Sequence, residues 1–163
     1  MIIRNLKYPF VMILVGIPLS GKSTFIQNQL KGLDINIISR DEILMEVYGS
    51  RHYNDAYKNV DQKKVDKLLM DRIKTYSSEG RNVVIDMTNL TSKRRKYNLS
   101  FFDDRYQKIA IVFTPPSLIE LQNRNKKRQT EENKNIPESV LSNMLRSMQP
   151  IKEEEGFDKI INI

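Results

Sequence analysis

The stretch GIPLSGKST, from Gly16 to Thr24, directly follows the apolar run FVMILV, from Phe10 to Val15. Gly16, Gly21, Lys22 and Ser23 match G-x-x-x-x-G-K-[ST] at every fixed position. In this motif a strand leads into a loop whose backbone N–H groups surround phosphate at the start of a helix. The stretch therefore predicts a nucleotide-binding phosphate loop and leaves open what happens to the phosphate.

Each polar position of the loop has an expected partner. Lys22 is expected to meet the outer phosphates of ATP, and the Ser23 hydroxyl to reach Mg²⁺. Leu19 occupies a position that is strained if the backbone there needs a positive φ. The expected nucleotide contacts are Gly16, Ser20, Gly21, Lys22, Ser23 and Thr24.

Composition limits the classes of protein that the chain can represent. Its 163 residues suit one domain, expected to span residues 1–163. There is no cysteine, which excludes disulfides and thiolate nucleophiles and is compatible with the cytoplasm. A net charge of +7 favours polyanionic partners, although a solvated basic surface would have the same composition. The N-terminal apolar run continues into the phosphate loop without a small-residue cleavage site, so we expect neither a signal peptide nor a membrane span.

Apolar runs alternate with helical patterns along the chain. Strands are expected at Phe10–Val15, Asn36–Ile38, Val83–Ile85, Ile109–Phe113 and Ile160–Ile163. Helices are expected near Lys22–Leu30, Glu42–Tyr48, Tyr57–Ser77, Ser92–Phe102, Ser117–Arg128 and Pro137–Met148. This alternation predicts an α/β fold of the P-loop NTPase type: a parallel sheet with helices on both faces and a small helical lid. Ligands of such sheets collect at the carboxyl ends of the strands.

The sequence SRDEIL follows the second expected strand. Asp41 could accept the proton of an attacking hydroxyl and orient it towards a γ-phosphate. The alternative is structural, because Ser39 and Glu42 form a capping-box pattern and Asp41 suits the first turn of a helix.

The sequence VIDMTN ends the third expected strand. Asp86 could hold Mg²⁺ through water or orient an acceptor, with Thr88 and Asn89 beside it; the alternative is a turn that caps the next helix. Arg94 and Arg95 fall in the first turns of that helix, where the dipole disfavours positive charge. They are interpreted either as anion-binding groups or as a solvated pair.

The basic run RNKKR closes a later helix. Arg124 and Arg128 lie one turn apart and could close over the phosphates; the alternative is a basic helix end that the dipole favours anyway. The polar run Thr130–Asn135 is expected to be a mobile loop, and Glu153–Glu155 a solvated turn.

Five blocks in order, GIPLSGKSTF, SRDEIL, VIDMTN, NRNKKR with IPESVLSNM, and EEGFDKI, resemble the kinase domain of 5′-polynucleotide kinases. The resemblance implies Arg40 and Asp41 at the acceptor, with Asp41 as the general base for a 5′-hydroxyl. It implies Asp86, Thr88 and Asn89 at the acceptor and metal side, and Arg124 and Arg128 over the ATP phosphates.

Two positions depart from the phage member of that family. Leu44 stands where the phage enzyme has an arginine, and Met87 separates Asp86 from Thr88 and Asn89. The acceptor contacts are therefore expected to differ from those of the phage enzyme.

The sequence thus predicts a phosphotransferase that uses ATP and Mg²⁺ on the 5′-hydroxyl of RNA or DNA, with Lys22, Asp41 and Arg128 as catalytic residues and Arg94 and Arg95 binding the strand backbone. One rival is a kinase of a nucleoside, sugar or nucleotide sugar on the same scaffold. A rival of another class is a nucleotide-dependent binding or switch module. The oligomeric state is left open.

Overall fold

The computed structural model describes residues 5–132 and 134–163. Its centre is a sheet of five parallel strands in the order β2-β3-β1-β4-β5. The strands are β1 (Phe10–Val15), β2 (Asn36–Ser39), β3 (Val83–Asp86), β4 (Gln107–Val112) and β5 (Lys159–Asn162). All five expected strands are confirmed, with ends shifted by one or two residues.

The central strand β1 explains how the sheet is covered. All of its side chains are buried, which is typical of a parallel strand with helices on both faces. Val11, Ile13 and Val15 point into one hydrophobic cluster, while Phe10, Met12 and Leu14 point into a second. The sheet is thus held between two apolar layers, as the α/β prediction requires.

Seven α-helices surround the sheet in the described part of the chain. They are α1 (Lys22–Gln29), α2 (Arg40–Tyr48), α3 (Tyr53–Asn59), α4 (Gln62–Ser78), α5 (Ser92–Leu99), α6 (Leu118–Glu132) and α7 (Glu138–Ser147), with a 3-10 turn at Glu153–Glu155. Helices α2 to α4 contribute to the first cluster and α1 to the second. Helices α6 and α7 contribute to a third cluster with Ile17 of the phosphate loop.

The helix predicted near Tyr57–Ser77 is two helices. Helix α3 ends at Asn59, and Asp61 begins α4 by accepting a hydrogen bond from the Lys63 backbone N–H at 2.9 Å. The periodic burial of Val65, Leu69 and Ile73 is confirmed. Gly80 follows the helix with φ +67, as expected for a residue that closes it.

Two expectations about polar runs are wrong. The first half of the expected loop Thr130–Asn135 is helical: α6 continues to Glu132, where Lys127 and Arg128 form ion pairs one turn on with Glu131 and Glu132. Asn133 lies outside the described residues. In the acidic turn, Glu155 is buried rather than solvated.

No helix among the described residues is long and apolar enough to cross a membrane.

Candidate active site

A cavity of about 1260 Å³ opens at the carboxyl ends of β1, β2 and β3. The phosphate loop forms its floor, and Asp41 and Asp86 lie at the ends of the neighbouring strands. Arg124 and Arg128 of α6 line the other side. The fold therefore brings together groups that are far apart in the sequence.

Glycine is needed at two positions of the loop for different structural reasons. A Cβ on Gly16 would lie 2.9 Å from the Phe113 Cβ and 2.8 Å from the Ser20 Oγ, so no larger residue fits without a shift. Gly21 has φ +100 where α1 begins. Leu19 has φ +68, which confirms that this position requires a left-handed backbone and that leucine there is strained.

Lys22 turns back over the loop. Its Nζ donates hydrogen bonds to the Gly16 carbonyl at 2.9 Å and to the Ile17 carbonyl at 2.8 Å. Burial lowers the pKa of Lys22 to about 8, against the opposing effect of the Asp86 carboxylate. Bound phosphate would supply the negative charge that the buried ammonium lacks.

The loop also has an unused polar group. Within the described residues, the Ser20 Oγ is the one fully buried side-chain polar atom without a hydrogen-bond partner. Buried hydroxyls are rarely left without a partner, and this one lies in a loop with a phosphate-binding sequence. The loop therefore fits ATP phosphates, which would supply an acceptor for this hydroxyl.

Ser23 and Asp86 fit a magnesium ion that arrives with the nucleotide. Both line the cavity, and both offer the oxygen ligands that Mg²⁺ prefers. Burial raises the pKa of Asp86, although the Lys22 ammonium opposes that shift. No cluster of three or more acidic or histidine side chains that could hold a metal was found in residues 5–132 and 134–163. Phosphate oxygens and water would thus complete the coordination of the ion.

Asp41 lies in the first turn of α2, with its side chain 46% exposed. The predicted cap is present, because the Ser39 Oγ accepts a hydrogen bond from the Glu42 N–H. Asp41 nevertheless lines the cavity and forms an ion pair with the Lys134 Nζ. Burial raises the pKa of the Tyr53 hydroxyl, and the nearby Asp41 carboxylate raises it further. The structural and functional interpretations of this region are therefore compatible.

Sequence reasoning missed Lys134 and Tyr53. Lys134 was included in an expected mobile loop, and Tyr53 lies before the start of the helix predicted near Tyr57–Ser77. No local pattern distinguishes either residue, because each meets Asp41 through tertiary contacts. Arg40 lies beside them, and its guanidinium contacts Asp66 at 2.9 Å and Gln62 at 2.8 Å.

The two arginines of α6 reach the phosphate loop region. The Arg124 Nη1 donates to the Leu19 carbonyl at 2.7 Å, and the Arg124 guanidinium also pairs with Glu120. Arg128 pairs with Glu132, and its charge further lowers the pKa of Lys22. Both arginines line the cavity, and their predicted contact with the ATP phosphates stays a prediction.

The end of β3 requires a correction. Asn89 was expected at the acceptor, but it is 1% exposed, and its Nδ2 donates to the Leu14 carbonyl at 2.8 Å. Its Oδ1 accepts a hydrogen bond from Asn98 at 2.9 Å. Nearby, the Thr88 carbonyl accepts a hydrogen bond from the Gly16 N–H at 2.9 Å. Asn89 therefore joins the ends of β1 and β3, and its side chain does not offer a free group to an acceptor.

The neighbouring arginines of α5, Arg94 and Arg95, differ in their exposure to solvent. Arg94 is exposed and lines the cavity, so its predicted role in binding a strand backbone stays a prediction. Arg95 is fully buried and forms a bidentate ion pair with Glu155, in which both N···O distances are 2.7 Å. It also donates to the carbonyls of Asn89 and Leu90. The expected role of Arg95 on a strand-binding surface is therefore wrong, because a partner sixty residues away in sequence buries it.

Known structures share this architecture. A chain in the structure of the Pnkp1/Rnl/Hen1 RNA repair complex is 24% identical with a TM-score of 0.72; the match covers 94% of this chain and 48% of that one, so this chain spans about half of its length. Kti12 from Chaetomium thermophilum, in complex with ADP-AlF3, is 14% identical with a TM-score of 0.66, covering 94% of this chain and 88% of that one. A gluconokinase from Sinorhizobium meliloti is 12% identical with a TM-score of 0.52, and the match covers 96% of this chain and 83% of that one. These likenesses show the fold. A search of curated protein sequences found no significant match.

A family model gives the assignment that these structural likenesses do not. The model described as an AAA domain, AAA_33, matches residues 11–151, which include the phosphate loop, Asp41, Asp86 and both arginines of α6. The match agrees with the five-stranded parallel sheet and with the nucleotide-binding loop at its edge. The chain belongs to the AAA domain family AAA_33 and has an α/β fold of the P-loop NTPase type.

Proposed function

We propose that the chain is a kinase that transfers the γ-phosphate of ATP to the 5′-hydroxyl of RNA or DNA. The observation that carries the proposal is the position of Asp41, a half-exposed carboxylate that lines the same cavity as Lys22, Arg124 and Arg128. A hydroxyl group bound beside Asp41 would face the outer phosphate of a nucleotide held by the loop.

The residues have complementary roles in this reaction. Asp41 orients the acceptor hydroxyl and accepts its proton as the hydroxyl oxygen bonds to the γ-phosphorus. The bond between that phosphorus and the β–γ bridging oxygen breaks, and ADP leaves. Lys22, Arg124 and Arg128 stabilise the negative charge on the transferring group. Ser23 and Asp86 would hold Mg²⁺, which when bound would supply positive charge to neutralise the nucleotide phosphates.

A nucleic-acid acceptor is supported by charge and by resemblance. The chain carries a net charge of +7, and the exposed Arg94 lines the cavity in which Asp41 lies. Phosphates of a strand would pair with such groups and release counterions. The sequence blocks that resemble 5′-polynucleotide kinases include the phosphate loop and Asp41, and a structural neighbour comes from an RNA repair complex.

Asp41→Asn tests the proposed role of the carboxylate. The variant keeps the shape of the side chain but cannot take a proton, so we expect phosphate transfer to a 5′-hydroxyl oligonucleotide to fall at least about a hundredfold. Binding of ATP should change little, because the phosphate loop is intact. Transfer at the wild-type rate by a folded, ATP-binding Asp41→Asn protein would remove Asp41 from the mechanism.

A further inference from the structure

Lys134 is the buried charged group at the site that the proposed reaction does not yet use. Its side chain is 9% exposed, and its Nζ donates to the Asp41 Oδ2. The same Nζ lies 3.5 Å from the centre of the Tyr53 ring, a cation–π distance. A lysine rarely gives up its hydration unless partners of this kind replace it.

The three side chains come from three separate parts of the fold. Asp41 lies in the first turn of α2, Tyr53 begins α3, and Lys134 follows α6. The Lys134 ammonium thus lies between the Asp41 carboxylate and the face of the Tyr53 ring. Burial lowers the pKa of Lys134, while the Asp41 carboxylate favours its charged form. The contact with Lys134 thus fixes the Asp41 carboxylate on one side, while 46% of the Asp41 side chain stays exposed.

We propose that Lys134 is a positioning residue of the acceptor site, which holds the Asp41 carboxylate in the orientation that receives the acceptor hydroxyl. This inference rests on the proposed function. It also gives a physical link between the side of the cavity that would bind the phosphate donor and the side that would bind the acceptor. The segment that carries Lys134 directly follows α6, whose Arg124 and Arg128 line the phosphate side of the cavity. The helix that reaches the donor phosphates is thereby tied to the base that receives the acceptor.

Kinetics of Lys134→Met test the inference, because methionine keeps an unbranched apolar stem and removes the ammonium. We expect kcat with a 5′-hydroxyl oligonucleotide to fall about tenfold to a hundredfold, since a misplaced base costs rate. The KM for ATP should stay within about twofold, because the phosphate loop is untouched. An unchanged kcat, or an equal loss of ATP binding, would overturn the positioning role.

Chemical rescue makes this test specific, because the chain contains no cysteine. Lys134→Cys, alkylated with 2-bromoethylamine, regains an ammonium at nearly the length of lysine, and complete modification is verified by mass spectrometry. We expect alkylation to restore most of kcat. Lys126→Cys is the matched control, since Lys126 is exposed on α6 and outside the residues that line the cavity. Failure of rescue in fully modified, folded protein would contradict the inference.

Thermal unfolding tests the Asp41–Lys134 ion pair independently of any activity assay. Asp41→Asn leaves the Lys134 ammonium without its counter-charge, whereas adding Lys134→Met removes the stranded charge. We therefore expect the double variant to have a higher Tm than Asp41→Asn alone. A double variant that is equally or less stable would show that the pair does not form in solution.

The kinetic and the unfolding experiments together distinguish failure of the proposed function from failure of the positioning role of Lys134. If the wild type phosphorylates no 5′-hydroxyl end but the unfolding result holds, the proposed function fails and the ion pair stands. If the wild type is active and Lys134→Met is equally active, the function stands and the positioning role fails.

Discussion

Lys22 is the residue on which nucleotide binding depends most directly. Its ammonium contacts two loop carbonyls, and burial brings its pKa to about 8. Only the protonated form attracts phosphate. Below pH 8 the charge is present before binding, whereas above pH 8 binding requires uptake of a proton.

Affinity for ATP should therefore fall as pH rises from about 7.5 to 9.5, by at most about tenfold per pH unit beyond the pKa of Lys22. Titration calorimetry in buffers of different ionisation enthalpy would measure both the affinity and the proton uptake. Lys22→Met is the control, with weak and pH-independent binding over this range. A wild-type affinity that is constant up to pH 9.5 would contradict the shifted pKa.

Leu19 allows a test of backbone strain inside the loop. At φ +68 a side chain with a Cβ is disfavoured, yet Leu19 also packs against the cluster of Ile17, Leu90 and Leu121. Leu19→Ala loses packing and keeps the strain, while Leu19→Gly loses packing and relieves it. We expect the glycine variant to be about 1 kcal/mol more stable than the alanine variant in urea unfolding. The reverse order, normal elsewhere in a chain, would show that the loop is not left-handed at this residue.

At the scale of elements, the Arg95–Glu155 pair fastens α5 to the 3-10 turn before β5. Burial raises the pKa of Glu155, but the hydrogen bonds from the Arg95 guanidinium and the Lys152 backbone more than offset this, so the net pKa is lowered. Arg95 also bonds to the carbonyls of Gln149 and Pro150. One side chain thus links the end of β3, helix α5 and the segment after α7.

Arg95→Met should destabilise the fold by about 3–5 kcal/mol, because it leaves the Glu155 carboxylate buried without its partner. Arg94→Met is the matched control, and we expect a change within about 0.5 kcal/mol since Arg94 is exposed. Denaturant unfolding at pH 7 compares the two. Equal stability of the two variants would refute the buried pair.

The elements also show where prediction from sequence succeeds and where it stops. The strands were predictable because short, continuous apolar runs such as Phe10–Val15 are typical of parallel strands that are buried on both faces of a sheet. The break between α3 and α4 was missed because apolar spacing alone does not register the Asp61 cap. The length of α6 was missed because a polar run is equally typical of a loop, and ion pairs within the helix decided otherwise.

The same limit applies to the site. The phosphate loop, Asp41, Asp86, Arg94 and the two arginines of α6 follow from motifs and strand ends, and all line one cavity. Arg95, Asn89 and Lys134 were misjudged or missed because their environment comes from distant residues: Glu155, Asn98 and Asp41. Local sequence does not encode which of two adjacent arginines is buried.

At the scale of the whole molecule, the sheet gathers a nucleotide-binding loop, a candidate base and two lid arginines around one cavity of about 1260 Å³. This volume is above the usual range for a single small ligand, roughly 300–1,000 Å³, which supports the proposal that a nucleotide and an acceptor bind there together. The basic charge of the chain then favours an acceptor that carries phosphates.

The most direct test follows the labelled γ-phosphate of ATP into a mixture of acceptors. The mixture contains RNA and DNA oligonucleotides with 5′-hydroxyl ends, the same oligonucleotides with 5′-phosphates, and a panel of nucleosides, sugars and nucleotide sugars. We predict that label enters the 5′-hydroxyl oligonucleotides, is recovered in the 5′-terminal nucleotide after digestion, and is absent from the oligonucleotides that already carry a 5′-phosphate. Label that enters only the small molecules, or release of phosphate without transfer to any acceptor, would contradict the proposed function.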